Sequence, residues 1–509
     1  MKNKNIITKI TGNNEENKKT KCKIKSIKLE TKSLIIFLII IFVSSMIKIS
    51  SYKIRPVHHD EAVYNYFSKK ILNKTYTYDP EYHGPLMFII QGFSLKILGD
   101  NINGLRFSYL LFSFLTLLLL LTIKNNYCAE KFLALTILIS FSPILNFYSS
   151  YACWESGFLF FYILFIISLI KIIHGKTNFI YLFATSSALM MATYESGIII
   201  IIATILLLLI FFYNNIKNIL KNKKEKNKLI IKLLLSLLIF ILTISLFFSL
   251  FFMQNPISNI SKMIKYNLKK TYTTGHNKPF YYYATKILPL EIPAVMLFIY
   301  SFIILVKILF KNKKNEKNKN FRDIEFKEQM VLLLLTIIVF IILSIMPYKV
   351  PWLSLLYLPP LIFFSTTAFE INKKLRDLVK PLLIFITLYL SITTIRLNFY
   401  DYDNIKNPLA YVQSTRELPK TIEKILSKNP ERGLIISKEY WPLPWYFRNL
   451  SVDYYSEKPN YYLEIDNYDF IILDEKAFNK IKNNNLTHNF NLEKFEIRPY
   501  VYLYLFLKE

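Results

Sequence analysis

The chain has 509 residues, of which 53% are hydrophobic and 16% aromatic, with only ten glycines. Gathered in long Ile/Leu/Phe runs, that composition excludes an ordinary soluble domain and points to an α-helical polytopic membrane protein. The formal net charge of +29 sits mostly in short loops between apolar segments, which argues against a nucleic-acid partner.

Residues 1–32 carry ten lysines and three glutamates and read as a basic cytoplasmic tail. The nearly uncharged run Ser33–Ile49 follows. Roughly 20 apolar residues cross a bilayer. No small-residue cleavage pattern comes after it, so it reads as a retained signal-anchor helix. About eleven spans are predicted, near 33–50, 104–123, 131–149, 155–173, 178–195, 196–213, 229–252, 287–310, 329–347, 351–370 and 380–398. Each must be helical, because lipid cannot satisfy unpaired backbone groups.

Lysines orient the spans. With a cytoplasmic N-terminus, the inside loops hold clusters such as Lys221-Asn222-Lys223-Lys224 and Lys311-Asn312-Lys313-Lys314. The outside turns near 150–154, 195–197 and 348–350 hold only Lys349. This is the positive-inside pattern of a multi-pass cell-membrane protein. Residues 33–398 therefore read as a transmembrane domain with large outside loops at 51–103 and 253–286. The odd count puts residues 399–509 outside, as a small α/β extracytoplasmic domain. Its β-like runs are Gly433–Ser437, Asp469–Leu473 and Tyr500–Leu507, and helical patterns lie near 408–428 and 475–482. Cys22, Cys128 and Cys153 are too far apart for a disulfide framework or a metal signature.

The first outside loop carries His58-His59-Asp60-Glu61 and, further on, Asp79-Pro80-Glu81-Tyr82-His83. Asp60 stands where a helix N-cap would stand, and Glu61 where a carboxylate favours the helix dipole. Either acid at a lipid–water boundary can instead act as a general base. Asp60, His59 and His83 are also N/O ligands suited to a divalent cation, although their spacing is no recognised metal signature. Glu155, Glu195 and Lys349 are predicted at the outer ends of spans, and Glu291 just inside one, where an ionisable group faces a cavity or partner. The loop 253–286 has six lysines, among them Lys269 and Lys270, with His276 and no acidic residue. It reads either as an interfacial helix on anionic lipid or as a clamp for a lipid-linked phosphate. Arg106, just inside the second span, is a further phosphate candidate.

Taken together, the motifs resemble the GT-C-type polytopic glycosyltransferases related to protein mannosyltransferases and aminoarabinose transferases. The resemblance is closest to a mostly archaeal "flippase activity-associated" family. It rests on His58–Ala62, Tyr78–Pro85, Ser142-Pro143, Ala192–Ser196, Gly275-His276, Pro279–Tyr283, Pro347–Trp352, Pro408–Val412 and Trp441–Tyr446. Tyr194 stands where the resemblance leads one to expect lysine, and Ser149-Ser150-Tyr151 lacks an expected arginine. The resemblance implies a polyprenyl- or dolichyl-phosphate sugar donor and a glycan, lipid or protein acceptor on the cell surface. It also implies Asp60 as catalytic base or metal ligand, with Glu61 beside it. Movement of lipid-linked sugars without bond chemistry is the rival expectation.

Overall fold

A computed structural model describes residues 31–271, 276–314, 323–371, 378–457, 467–482 and 490–508. The basic tail up to residue 30, Cys22 and the side chain of Lys270 lie outside the described residues. The N-terminal part is a helical bundle. It opens with α1 (Thr31–Ile54). It continues through α2 (His59–Leu72), α3 (Leu86–Leu98), α4 (Ile102–Leu119), α5 (Ala129–Phe141), α6 (Pro143–Tyr148), α7 (Trp154–Ile173), α8 (Phe179–Thr193) and α9 (Gly197–Phe211). Then come α10 (Tyr213–Lys221), α11 (Lys223–Phe248), α12 (Pro256–Thr271), α13 (Ile292–Lys314), α14 (Asp323–Ile345), α15 (Leu358–Ser365), α16 (Thr367–Ile371) and α17 (Val379–Ile395).

Seven helices among the described residues are long and apolar enough to span a membrane, or eight if the bent pair α9–α10 counts as one span. The count of eleven is not reached by length and composition, and the sequence says why. The other predicted spans occupy the expected places but are short or broken. Pro143 separates α5 from α6, and Pro351, Pro359 and Pro360 break the segment before α16 into a 3-10 turn and short helices. Proline removes a backbone donor and clashes with the preceding turn. The segment of α7 is 83% buried, the most enclosed of the seven, whereas α11 is 11% buried and faces outward.

The C-terminal unit is a five-stranded sheet of order β2-β1-β3-β5-β4. Strands β1 (Arg432–Ile436), β2 (Ser451–Tyr455) and β3 (Phe470–Leu473) are mutually parallel. The antiparallel hairpin β4 (Phe490–Arg498) and β5 (Val501–Lys508) completes it. Helix α18 (Leu418–Leu426) covers one face, α19 (Leu443–Tyr446) follows β1, and α20 (Glu475–Lys482) packs on the other face. The helix expected over 408–428 is confined to α18. Residues before it run as turns laid along the first loop, where Gln413 Oε1 accepts from Arg55 at 3.1 Å and Ser414 Oγ donates to the Val57 carbonyl at 2.7 Å.

Candidate functional site

The tetrad at 58–61 sits where the bundle meets the sheet domain. The N-cap of α2 is His58, not Asp60. Its Nδ1 accepts from the Asp60 amide at 3.0 Å, and its own amide donates to Glu61 Oε2 at 2.9 Å. This is a reciprocal capping box with histidine in place of the usual serine or threonine. The His58 Nε2 lies 2.9 Å from the Tyr411 carbonyl, so the ring is fixed as the Nε2–H tautomer. Burial, outweighing the Asp60 charge, lowers its pKa and keeps it neutral.

Glu61 is fully buried and built into the scaffold. It accepts from Arg106 Nε at 2.6 Å and Nη2 at 2.5 Å, and from the amides of His58 and Ala152. Burial alone would raise the carboxyl pKa, but Arg106 and these donors hold it below the usual carboxylate range. The rest of the Arg106 guanidinium donates to the carbonyls of Tyr52, Arg55 and Pro56. Every N–H of Arg106 is thus taken, and the pair clamps the loop 52–61 against α4. In this geometry Arg106 has no donor for a phosphate, and Glu61 no free lone pair for an acceptor hydroxyl.

Asp60 is different. Its side chain is 47% exposed, with one oxygen 3.8 Å from His58 Nδ1 and the other 3.9 Å from His59 Nε2. Capping by His58 turns the Asp60 carboxylate outward. His59 is held by Arg498 of β4, whose Nη1 lies 3.1 Å from Nδ1, and Arg498 also pairs with Glu439. Burial, with help from the Arg498 charge, lowers the His59 pKa to about 4. Neither Arg498 nor Arg55 was a sequence candidate. Arg55 is buried, stacks 4.3 Å over Phe147 and lies 5.2 Å from the Tyr151 ring centroid. It brings a cation to the segment 149–151, where the sequence has none.

Two further groups converge here. His83 Nδ1 lies 3.0 Å from Glu195 Oε1, wedged edge-on against Trp154 and Tyr194, which stack at 3.8 Å. The close approach needs Gly84, because a Cβ there would lie 2.0 Å from the Ala192 carbonyl oxygen. The Tyr411 hydroxyl lies 2.6 Å from His276 Nδ1, and His276 packs edge-on against Tyr348. Val412 has φ of 49°, a conformation that β-branched residues adopt only under constraint. It is held by Tyr411 and Gln413 on either side. Burial first, then the neighbouring Tyr411 and Tyr266 and the Asp60 and Glu195 charges, push the Tyr348 hydroxyl up, so it stays neutral.

A cavity of about 440 Å³ opens beside Tyr348 and Glu195. Along α12 its wall is Ile260, Met263, Ile264, Asn267 and Leu268, one helical stripe at the spacing of a buried face. Lys262, Lys265 and Lys269 of the same helix are exposed. Lys349 is buried and donates to the Met346 carbonyl at 2.5 Å, closing the end of α14. Glu155 is buried near the charges of Asp60 and Glu61. Asp79 caps the turn before His83. Glu291 sits deeper, accepting from Ser142 Oγ and the Ile144 amide to cap α6.

Asp60, His59 and His83 are not gathered as a metal site. Among the described residues, the grouping with ligand atoms within 4.8 Å is His58, Asp60 and Cys153. It does not fit a hard divalent cation, which prefers several oxygens. Both His58 nitrogens are engaged, and Asp60 is the single carboxylate.

No protein-family model and no curated protein matches the sequence. The structure does find matches. ArnT from Cupriavidus metallidurans bound to undecaprenyl phosphate aligns with a TM-score of 0.65 at 11% identity, over 92% of this chain and 97% of that one. This is the GT-C fold. The apo state of the same ArnT aligns with a TM-score of 0.63 at 10% identity, over the same shares of the two chains. The archaeal oligosaccharyltransferase AglB from Archaeoglobus fulgidus, in complex with an inhibitory peptide and a dolichol-phosphate, aligns at 0.49 with 12% identity, over 86% of this chain and 69% of that one. That last score is too low to carry weight here. The motifs at 58–62 and 78–85 lie close together in this fold, with Tyr82 against Phe67 of α2.

Proposed function

We propose that the protein is a membrane glycosyltransferase of inverting type. It transfers a sugar from a polyprenyl-phosphate donor to a hydroxyl of a cell-surface glycan, lipid or protein, on the extracytoplasmic face. The observation that carries this reading is the division of labour in one tetrad. His58 and Glu61 are consumed in capping and in the Arg106 clamp, and the same bonds leave Asp60 presented and unshared. A carboxylate fixed on a rigid helix start can take the proton of an acceptor hydroxyl. The hydroxyl oxygen then bonds the anomeric carbon from the face opposite the phosphate. The sugar–phosphate C–O bond breaks, and its electron pair leaves on the lipid phosphate.

The apolar groove along α12 suits a polyprenyl tail, and its polar end at Tyr348, Ser196 and Glu195, which His83 contacts, suits the head group. Tyr348 and the Tyr411–His276 pair supply hydrogen-bonding groups for the departing phosphate. The undecaprenyl phosphate bound to ArnT supports a lipid-phosphate ligand in this fold. In the alternative reading, a flippase for lipid-linked sugars, charges would line a path through the bundle. The candidate groups instead gather at one end, beside the sheet domain. Asp60→Asn, expressed at the normal level, is expected to change the surface glycan profile. An unchanged profile rejects the transferase reading.

A further inference from the structure

A second feature lies on the sheet domain, away from Asp60. A cleft of about 490 Å³ runs between α20 and the outer face of the β4–β5 hairpin. That volume is within the range of small-ligand sites. Its floor is Tyr504, stacked on Phe478 of α20 at 4.1 Å and 5°. Its rim is aromatic and open, with Tyr502 44% and Tyr500 69% exposed. Asp474, just before α20, and Glu475, Lys476 and Asn479 of α20 face the tyrosines across the cleft, and the Lys494 ammonium lies 4.7 Å from the Tyr502 ring centroid.

An independent observation singles out Tyr500. Arg498 pairs with Val501, so Pro499 and Tyr500 form a two-residue turn, and Tyr500 has φ of 64°. Proline followed by a positive φ is the type II pattern, in which glycine or asparagine is the unstrained choice. The Tyr500 amide donates to Glu496 Oε1 at 2.6 Å, which holds the turn and keeps the ring at the rim of the cleft.

We propose that this cleft binds a saccharide, as the acceptor-side glycan of the transfer reaction. A pyranose offers a C–H face to an aromatic ring and a rim of hydroxyls to carboxylates, amides and ammonium groups. The cleft provides both within one notch. A lipid surface is the competing occupant for exposed tyrosine and lysine, but Asp474 and Glu475 balance Lys476 and Lys494 in the lining, so the cleft carries no net positive charge to draw anionic headgroups. The hairpin also carries Arg498, which contacts His59, so the cleft and Asp60 are joined by one short, rigid element. Saccharide binding stands on the cleft alone, and its role on the acceptor side rests on the transferase reading.

The test uses the full chain in nanodiscs and saturation-transfer NMR with maltose, lactose and chitobiose at millimolar concentration. At least one disaccharide should receive saturation at its ring protons. The Tyr500→Ala/Tyr502→Ala variant should lose about five-fold of it, as expected for an aromatic contact of ~1 kcal/mol. The rim variant Glu475→Gln should lose a smaller share, and Asp60→Asn should keep it all. Saturation of none of the sugars overturns the proposal, as does equal saturation in wild type and the tyrosine variant. Protection of residues 500–504 from hydrogen exchange by anionic lipid and not by sugar overturns it in favour of a membrane contact. Retained sugar binding in Asp60→Asn with unchanged glycan transfer would reject the transferase reading and leave the cleft standing.

Discussion

The Glu61–Arg106 pair yields a sharp prediction. Glu61→Gln keeps the size of the side chain but turns an acceptor oxygen into a donor. Glu61 accepts four hydrogen bonds, two on each oxygen. An amide nitrogen at either place would face two N–H groups, donor against donor. Arg106 would also be left as an uncompensated cation at 2% exposure. Breaking a buried pair on one side costs on the order of 3–5 kcal/mol. Arg106→Met should cost a similar amount by stranding the carboxylate. The double variant Glu61→Gln/Arg106→Met should be less unstable than the sum of the two, because no charge is left unpaired. Thermal unfolding of the purified variants in one detergent, arranged as a double-mutant cycle, reads this coupling. If Glu61→Gln unfolds like wild type yet abolishes turnover, Glu61 is a reacting group and the clamp account is wrong.

Other consequences follow from the same geometry. Asp60→Asn removes a half-exposed group with no buried bond, so stability should hold while transfer falls about 100-fold or more, the usual scale for a lost general base. Gly84→Ala forces a Cβ to 2.0 Å from a backbone oxygen, and should destabilise by ~1–3 kcal/mol while displacing His83 from Glu195, read by unfolding and by donor affinity. The folded-state pKa of His59 is depressed from 6.5 to about 4, so the unfolded chain gains its proton first as the pH falls. Stability is therefore fully present above pH 6.5 and lost as the pH drops towards 4. His59→Gln should flatten that slope in melting measured across the window. Arg498→Ala should leave the bundle folded and loosen the sheet domain without releasing it, since Tyr446, Gln413 and Ser414 still hold the first loop, seen as modestly faster proteolysis of the 407–417 segment.

Much of this was legible in the sequence because it depends on local rules. Apolar runs and lysine placement located all the long helices, and β1, β3, β5 and α20 followed from residue type. Strands β2 and β4 escaped because both lie at sheet edges, where half-exposed Asp453 and Glu493 and exposed Lys494 blur the alternation. Asp60 as the presented carboxylate was within reach, but its capping was assigned to the wrong residue. Histidine is an uncommon N-cap, so His58 gave no signal. Arg106 and Glu61 lie 45 residues apart, and no spacing rule pairs them. Arg498 reaches His59 across 439 residues, a contact that exists only once the sheet domain has docked. Which way the lysine-rich loop faces was not legible in the sequence: α12 turns its apolar stripe to the groove and leaves Lys262, Lys265 and Lys269 exposed.

The central claim is bond chemistry at Asp60, and purified protein tests it directly. Incubated with a radiolabelled polyprenyl-phosphate sugar and a hydroxyl acceptor, the wild-type chain should move label from lipid to acceptor, and Asp60→Asn should not. Label that crosses proteoliposomes still attached to its lipid, equally in both proteins, would contradict the account.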